Sequence, residues 1–208
     1  MADAPGRFIV LEGIDGSGKS SQVATVAALL RERGHEVVTC RDPGATAAGD
    51  AVRQILLHRV EIPLAPTTEM LLYMAARAQL VAEVIAPALA RGAWVVSDRF
   101  LPANVVYQGH AGSIDPEAIR AVGRIATGGI APDLVILLDV DVAVAATRMD
   151  HRPLDRLESR GDDYRRRLRE GYLLEAAADP TRFAVIDATP DRATVERRIR
   201  AVVADRLG

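Results

Sequence analysis

The sequence is poor in cysteine, in long uncharged apolar runs and in any excess of charge of one sign. Cys40 is the single cysteine among 208 residues, which excludes an internal disulfide framework and a cysteine-based zinc site. No window of about 18 residues is apolar and free of charge, and residues 1–7 do not form a basic segment leading into an apolar one. We therefore expect no membrane span, no signal peptide and a cytoplasmic location.

Basic and acidic residues nearly balance. The 26 basic and 28 acidic residues leave a net charge of −2, so no global positive field is available to hold a nucleic-acid backbone. Any anion site must be local, and we expect small-molecule partners, with neither nucleic acid nor a membrane among them. The length and an apolar fraction of 49% fit one domain, residues 1–208, around one core.

Short apolar runs alternate along the chain with segments of helical periodicity. The runs predict strands over Phe8–Glu12, Glu36–Arg41, Ala93–Ser97, Leu134–Leu138 and Phe183–Ile186. The periodic segments predict helices over Ser20–Arg33, Thr46–His58, Glu117–Thr127, Asp141–Met149 and Asp191–Arg206, and a long helix capped by Thr67 or Thr68 and reaching Arg91. This alternation predicts an α/β fold, with a five-stranded parallel sheet flanked by helices on both faces.

One stretch departs from the alternation. Residues 150–169 contain few core-type residues and many arginines with acids between them: Arg152, Arg156, Arg160, Arg165, Arg166, Arg167 and Arg169. Two interpretations stay open at this point, a solvated charged face of a helix and a mobile lid that closes over an anion.

Residues 13–20 read GIDGSGKS and fit the pattern G-x-x-x-x-G-K-[ST] between a predicted strand and a predicted helix. We call Gly13–Ser20 the P-loop. Its glycines allow backbone amides to turn toward phosphate oxygens, and the helix N-terminus adds partial positive charge. Lys19 would bridge the β- and γ-phosphates, and the Ser20 hydroxyl would bind Mg²⁺. The motif predicts a nucleoside triphosphate site without choosing between a kinase, a switch and a motor.

A kinase with a phosphorylated acceptor must bring two anions together. Two unit charges about 4 Å apart repel by about 4 kcal/mol at an effective dielectric constant of about 20, so several arginines are needed. A general base is not needed, because the acceptor phosphate is already ionised near neutral pH. Four arginines lie where predicted elements end or face the crevice beyond the strands: Arg41, Arg53, Arg77 and Arg99.

Two further patterns fit such a site. Asp98 follows the predicted third strand and would lie near the P-loop if the first and third strands were neighbours, where it could orient Mg²⁺ through water. Tyr73 and Arg77 share one helix face at i and i+4, and an aromatic ring with a planar donor suits a pyrimidine. The alternative, a helix tyrosine beside an extended surface arginine, stays open here.

At this point the chain resembles the thymidylate kinase family of P-loop nucleoside monophosphate kinases. The resemblance rests on Phe8–Ser20, Arg41–Thr46, Arg53 with residues 55–57, Glu69–Gln79, Asp98–Phe100, Tyr107–Gly109, Pro132–Asp139, and Leu154–Glu158 with Arg167 and Tyr172. It implies the P-loop NTPase fold with a small arginine-rich lid at about residues 150–162. It also implies a homodimer that uses MgATP to phosphorylate dTMP to dTDP in dTTP synthesis.

The resemblance also assigns roles to individual residues. Catalytic roles fall to Lys19, Arg99 and Asp15 and, in the lid, to Arg152 and Arg156. ATP binding falls to Gly13, Ile14, Asp15, Gly16, Ser17, Gly18, Lys19, Ser20, Ser21, Arg148 and Asp187. Binding of dTMP falls to Asp15, Arg53, Tyr73, Arg77, Arg99, Asn104, Tyr107 and Gln108. The metal would be held by Ser20 and, through water, by Asp98.

The chain departs from the family pattern at a few positions. Asp42 stands for a glutamate, Ala45 for a glycine and Ala103 for a common serine, and Pro153 limits a continuous helix in the lid. Another nucleoside or nucleotide kinase of the same fold, with a different or relaxed base preference, is therefore the alternative function. A regulatory switch is disfavoured because no guanine-reading Asn-Lys-x-Asp is present, and a nucleic-acid ATPase because the charge is balanced.

Overall fold

Five parallel strands form a sheet in the computed structural model, which describes residues 6–149 and 161–207. The strands are β1 (Phe8–Glu12), β2 (Val37–Arg41), β3 (Trp94–Asp98), β4 (Leu134–Asp139) and β5 (Phe183–Asp187), in the spatial order β2-β3-β1-β4-β5. All the pairings are parallel. The predicted five-stranded parallel sheet is confirmed, and every strand lies within one residue of its expected bounds.

Helices follow the strands in the expected alternation. They are α1 (Lys19–Glu32), α2 (Ala47–Arg53), α3 (Pro66–Leu80), α4 (Ala86–Ala90), α5 (Leu101–Asn104), α6 (Pro116–Thr127), α7 (Val142–Met149), α8 (Asp162–Ala178) and α9 (Arg192–Leu207). Helical turns of the wider π type extend α2 over Gln54–His58, join α3 to α4 over Val81–Ile85, and extend α5 over Val105–His110.

The sheet is covered on both faces. Phe8, Ile9, Val10 and Leu11 of β1 are fully buried, although successive side chains of a strand point to opposite faces. Helices α1 and α9 contact each other and the sheet, while α8 contacts β4 and β5 together with the turn Val105–His110. This layering confirms the predicted α/β class with flanking helices.

The start of the long helix differs from the prediction. Neither Thr67 nor Thr68 is its cap, because Ala65 is the N-cap and Pro66 occupies the first turn. Proline suits that turn, since the amide that it lacks would have no partner inside the helix. Thr46, in contrast, caps α2 by accepting a hydrogen bond from the amide of Gly49 at 2.9 Å.

The C-terminal part of the arginine-rich stretch is a helix that packs on the core. From Asp162 onward it forms α8, whose Tyr164 and Leu168 are buried in the main core. Arg169 of α8 pairs with Asp139 at 2.6 Å, so it supports the fold. The expected lid, at about residues 150–162, lies almost entirely in residues 150–160, outside the described residues.

One helical stretch, Pro66–Ala90, is long and apolar enough by length and composition to cross a membrane, with a mean hydropathy of 1.3. Its inner face carries Glu69 and Arg77, both buried, which bond to Gln108 and Asp42 within the protein. Those polar contacts, and the packing of α3 against α2 and α6, are the properties of a core helix of a globular fold.

The order of the strands brings the predicted site residues together. Since β1 lies between β3 and β4, the P-loop that follows β1 adjoins Asp98 and Arg99 at the end of β3. The carboxyl ends of parallel strands are where α/β sheets bind their ligands.

Candidate functional site

The P-loop wraps tightly around the N-terminus of α1. Gly16 has a φ of 84°, and a side chain there would lie 2.3 Å from the carbonyl oxygen of Ala145. Gly18 has a φ of 95° and is the N-cap of α1, with open space where a side chain would be. The loop therefore presents backbone amides and a helix N-terminus to an anion.

Lys19, the only lysine in the sequence, lies inside the loop. Its Nζ donates to the carbonyl oxygens of Gly13 and Ile14 at 3.0 and 2.9 Å and lies 3.6 Å from the Asp15 carboxylate. Burial and the nearby Arg99 charge lower the pKa of Lys19. Ser17 Oγ is buried without a hydrogen-bond partner among the described residues, so it is a spare donor for a phosphate oxygen.

Ser20 and Asp98 form a candidate metal site. The Ser20 hydroxyl donates to Asp98 Oδ2 at 2.6 Å, which confirms the expected proximity of the third strand and the P-loop. The described residues contain no group of three or more His, Cys, Asp or Glu side chains placed to hold a metal. One hydroxyl and one carboxylate fit Mg²⁺ that takes its remaining ligands from phosphates and water.

Two pockets meet beside the P-loop. The first is a cleft over the loop lined by Asp15, Gly16, Gly18, Lys19, Ser20, Ser21, Arg41, Asp42, Arg53, Asp98, Arg99, Arg148 and Met149. The second, which we call the acceptor pocket, is lined by Asp15, Asp42, Pro43, Arg53, Leu57, Tyr73, Arg77, Arg99, Ala103, Asn104, Tyr107 and Gln108. It contains every residue that the resemblance assigns to dTMP. Asp15, Asp42, Arg53 and Arg99 line both pockets.

Arg99 lies at the junction of the two pockets. Its Nη1 donates to the carbonyl of Gly13 at 3.0 Å and to the Tyr172 hydroxyl at 2.9 Å, and its Nη2 donates to Asp15 at 2.6 Å and to the Tyr107 hydroxyl at 3.0 Å. Its backbone has a φ of 70°, a conformation that costs a non-glycine residue about 1–3 kcal/mol. The bonds around the guanidinium hold it there against that cost.

Two carboxylates next to Arg99 have pKa values that are shifted in opposite directions. Burial alone would raise the pKa of Asp15, but the charges of Arg99 and Lys19 hold it well below its usual range. Burial raises the pKa of Glu12 to about 7, against the opposing effects of Arg99 and of the Tyr172 hydroxyl. Glu12 accepts from that hydroxyl at 2.8 Å and from the amide of Phe100 at 3.0 Å.

Glu12 is a site residue to which the sequence prediction gives no role. It is fully buried beneath Arg99, with 3.9 Å between its Oε2 and Arg99 Nη1. One sequence feature could have indicated this role: a carboxylate ends the apolar strand Phe8–Glu12, where another apolar residue would be usual.

The turn from Arg41 to Thr46 shapes the acceptor pocket. Ala45 has a φ of 63°, so this alanine adopts the conformation that glycine favours. Arg53 donates to the carbonyl of Pro43 at 2.9 Å, and Asp42 is fully enclosed with Arg77, whose Nε lies 2.5 Å from its Oδ2. Burial raises the pKa of Asp42, and the charge of Arg77 opposes this effect.

Arg41 differs from the other three predicted arginines in its exposure. It pairs with Asp50 at 3.1 Å and both side chains are about half exposed, so it borders the cleft at its rim. Tyr73 lines the acceptor pocket, as do Asn104 and Gln108, which form a buried hydrogen bond at 2.8 Å. Glu69, buried behind Gln108, is a second residue to which the sequence prediction gives no role.

Another pocket lies on the far side of the P-loop and is bordered by Ser17, Ser21, Arg148 and Ala188, among others. Arg148 donates to the carbonyls of Ala188 and Thr189 at 3.0 and 2.9 Å, which fixes it beside the loop that follows β5. The carboxylate of Asp187 is turned away: it pairs with Arg198 at 2.8 Å and accepts from the amide of Thr189. The backbone of this loop, not that carboxylate, borders the pocket. Arg152 and Arg156 lie outside the described residues.

Comparisons with known proteins agree with this geometry. A model of the thymidylate kinase family matches residues 11–199. The chain is 46% identical over 206 residues to the thymidylate kinase of Desulforudis audaxviator, and the aligned region covers 97% of this chain and 93% of that protein. It is 46% identical over 202 residues to that of Thiobacillus denitrificans, at 97% and 98% coverage. The crystal structure of thymidylate kinase from Ehrlichia chaffeensis superposes with a TM-score of 0.78 at 28% identity, covering 96% of this chain and 99% of that one. The chain belongs to the thymidylate kinase family.

Proposed function

We propose that the protein phosphorylates dTMP to dTDP with MgATP as the phosphoryl donor. The observation that carries this proposal is the junction of the two pockets at Arg53, Arg99, Asp15 and Asp42. One pocket is a P-loop cradle for a triphosphate, and the other is lined by an aromatic ring and polar side chains of the kind that hold a base. Membership of the family supports dTMP as the acceptor.

The reaction requires charge control more than proton transfer. An oxygen of the acceptor phosphate attacks the γ-phosphorus, the bond from that phosphorus to the β–γ bridging oxygen breaks, and ADP leaves. Lys19 and the P-loop amides neutralise charge on the donor, and Arg53 and Arg99 neutralise charge on the acceptor. Ser20 and, through water, Asp98 would hold Mg²⁺, which would neutralise further charge on the donor phosphates.

Asp15 has a positioning role in this proposal. Its low pKa keeps it ionised, so it accepts from Arg99 and from the Tyr107 hydroxyl, at 2.6 and 3.1 Å. This fixed tyrosine would lie against the sugar of the acceptor and crowd a ribose 2′-hydroxyl, which favours deoxyribose. Arg152 and Arg156 would supply the remaining positive charge for the transferred group, because the P-loop itself contains no arginine.

The adenine of ATP would lie against Arg148 and the loop backbone at Ala188 and Thr189. The carbonyls of that loop hold the guanidinium in place, so its flat face is available for stacking. A cytoplasmic location accords with nucleotide substrates.

A coupled assay of ADP release with MgATP tests the function. We expect dTMP to give a higher kcat/KM than dUMP, dCMP or dGMP, and the product with dTMP to be dTDP. No turnover with dTMP would refute the proposal. A higher kcat/KM with another monophosphate would favour the alternative, a related kinase of different base preference.

We also propose that the enzyme is a homodimer that associates through α3. The outward face of α3 and of the turn that follows it carries Leu71, Ala75 and Ala82, apolar residues that are exposed where a solvated helix usually presents charge. Leu71 is 48% exposed, and α6, which packs beside α3, exposes Ile125. We propose that these side chains form one apolar patch, of the kind that marks a protein interface.

A further inference from the structure

Three buried polar side chains form a row at the wall of the acceptor pocket. This wall is not part of the cleft over the P-loop. Gln108 Nε2 donates to Glu69 Oε1 at 2.9 Å, and Asn104 Nδ2 donates to Gln108 Oε1 at 2.8 Å. Glu69, Gln108 and Asn104 are only 5%, 4% and 2% exposed. We call this row the amide relay.

The direction of every bond in the amide relay follows from Glu69. A carboxylate can only accept hydrogen bonds, whereas an amide can donate from one end and accept at the other. Glu69 lies in the first turn of α3, where the helix N-terminus favours negative charge. Gln108 must therefore turn its NH₂ toward Glu69 and its carbonyl toward Asn104.

The same logic fixes the last amide in the row. Asn104 gives its NH₂ to Gln108, and its Oδ1 is buried without a hydrogen-bond partner among the described residues. Asn104 lines the acceptor pocket. Leaving a buried acceptor unpaired is unfavourable, so this oxygen favours a ligand that brings a donor to it.

We propose that Glu69 is a positioning residue for base selection, which acts through the amide relay to present Asn104 Oδ1 as an acceptor to the acceptor base. This inference rests on the proposed function. Thymine carries a donor, N3–H, at the middle of its pairing edge, whereas cytosine carries a lone pair at N3. The relay therefore satisfies thymine and sets two acceptors against each other when cytosine is bound.

The test replaces Glu69 with its isostere. In E69Q the residue at the start of the relay can donate as well as accept. The hydrogen bonds of the row can then run in either direction. In the reversed direction Asn104 presents its NH₂, which can donate to N3 of cytosine. We expect the ratio of kcat/KM for dTMP to kcat/KM for dCMP to fall by about tenfold, with the KM for ATP unchanged. A merely structural role for Glu69 would lower both kcat/KM values alike and leave the ratio intact, which would overturn the proposal.

Two further variants sharpen the result. Glu83→Gln, an exposed position on the same continuous helix, is the matched control and should keep the wild-type ratio. The double variant E69Q/Q108E places the acceptor-only carboxylate one step along the row. There it accepts from the amide introduced at position 69 and from Asn104, which restores the orientation of Asn104. We expect this variant to recover selectivity for dTMP over dCMP.

The double variant also tests the proposal if E69Q alone does not fold, because the double variant keeps the charge and the number of hydrogen bonds. If its ratio of kcat/KM for dTMP to kcat/KM for dCMP is about tenfold below that of the wild type, the inference is wrong. A wild-type enzyme without dTMP turnover would instead refute the proposed function, so the two failures are distinguishable.

Discussion

At the level of single residues, Glu12 is the clearest case of a group whose environment opposes its charge. It is an acid with a pKa raised from 4.5 to about 7 in the folded protein. The folded state therefore binds more protons than the unfolded state between those two values, and stability falls as the pH rises through that window. Above about 7 both states are ionised, and the loss is complete.

This gives a prediction for Glu12→Gln, in which the titration is removed. We expect the free energy of unfolding of the wild type to fall relative to the variant by about 2 kcal/mol between about pH 5 and about pH 8. Urea unfolding of both proteins at the two pH values measures this difference. The exposed Glu170→Gln on α8 is the matched control for replacing a glutamate with its amide.

A constant difference between wild type and Glu12→Gln across the same range would contradict the raised pKa. In that case the attraction of Arg99 and the hydrogen bonds from Tyr172 and Phe100 would outweigh the burial of Glu12.

At the level of secondary structure, α2 connects stability to the acceptor site. Thr46 caps this helix through the amide of Gly49, and Arg53, at its other end, lines both pockets. Replacing an N-cap threonine with alanine costs about 1 kcal/mol, because an amide of the first turn loses its acceptor. Fraying of α2 would also loosen Arg53.

We therefore expect Thr46→Ala to lower the free energy of unfolding by about 1 kcal/mol and to raise the KM for dTMP severalfold, with little change in the KM for ATP. Urea unfolding and steady-state kinetics measure the two effects. Thr67→Ala, on an exposed side chain in the first turn of α3, should change neither quantity. Equal increases in both KM values would argue against a specific link to Arg53.

The elements also show what the sequence can and cannot predict. The five strands are predictable because each is a short apolar run, and the P-loop because its motif is local. The pairings of Arg77 with Asp42 and of Tyr172 with Glu12 join residues 35 and 160 positions apart, so no local pattern reports them. Helical periodicity also could not predict α5, because this helix has only four residues, contains a proline and is too short to show a repeat.

At the level of the whole molecule, the fold determines which charges can meet. The P-loop follows β1, and the order β2-β3-β1-β4-β5 places Asp98 and Arg99 beside it. Arg53 and Asp42 reach the same point from the segments after β2. A net charge of −2 is compatible with an anion site because the positive charge is concentrated at this junction.

The outward face of α3 is the remaining feature that a single chain does not explain. On this face Leu71, Ala75 and Ala82 are apolar and exposed to solvent. A second copy that packs α3 against α3 would remove this surface from water, at about 25 cal/mol for each Å² of apolar area. A charge at the centre of such a contact would be buried without a partner.

We accordingly expect the wild type to sediment as a dimer and Leu71→Glu to sediment as a monomer at micromolar concentration, as measured by analytical ultracentrifugation. Leu174→Glu is the matched control, because Leu174 is similarly exposed but lies on α8, away from α3, and this variant should remain dimeric. A dimer that survives Leu71→Glu but dissociates with Leu174→Glu would move the interface from α3 to α8. A wild type that is monomeric at every concentration would show that the apolar face of α3 has another role.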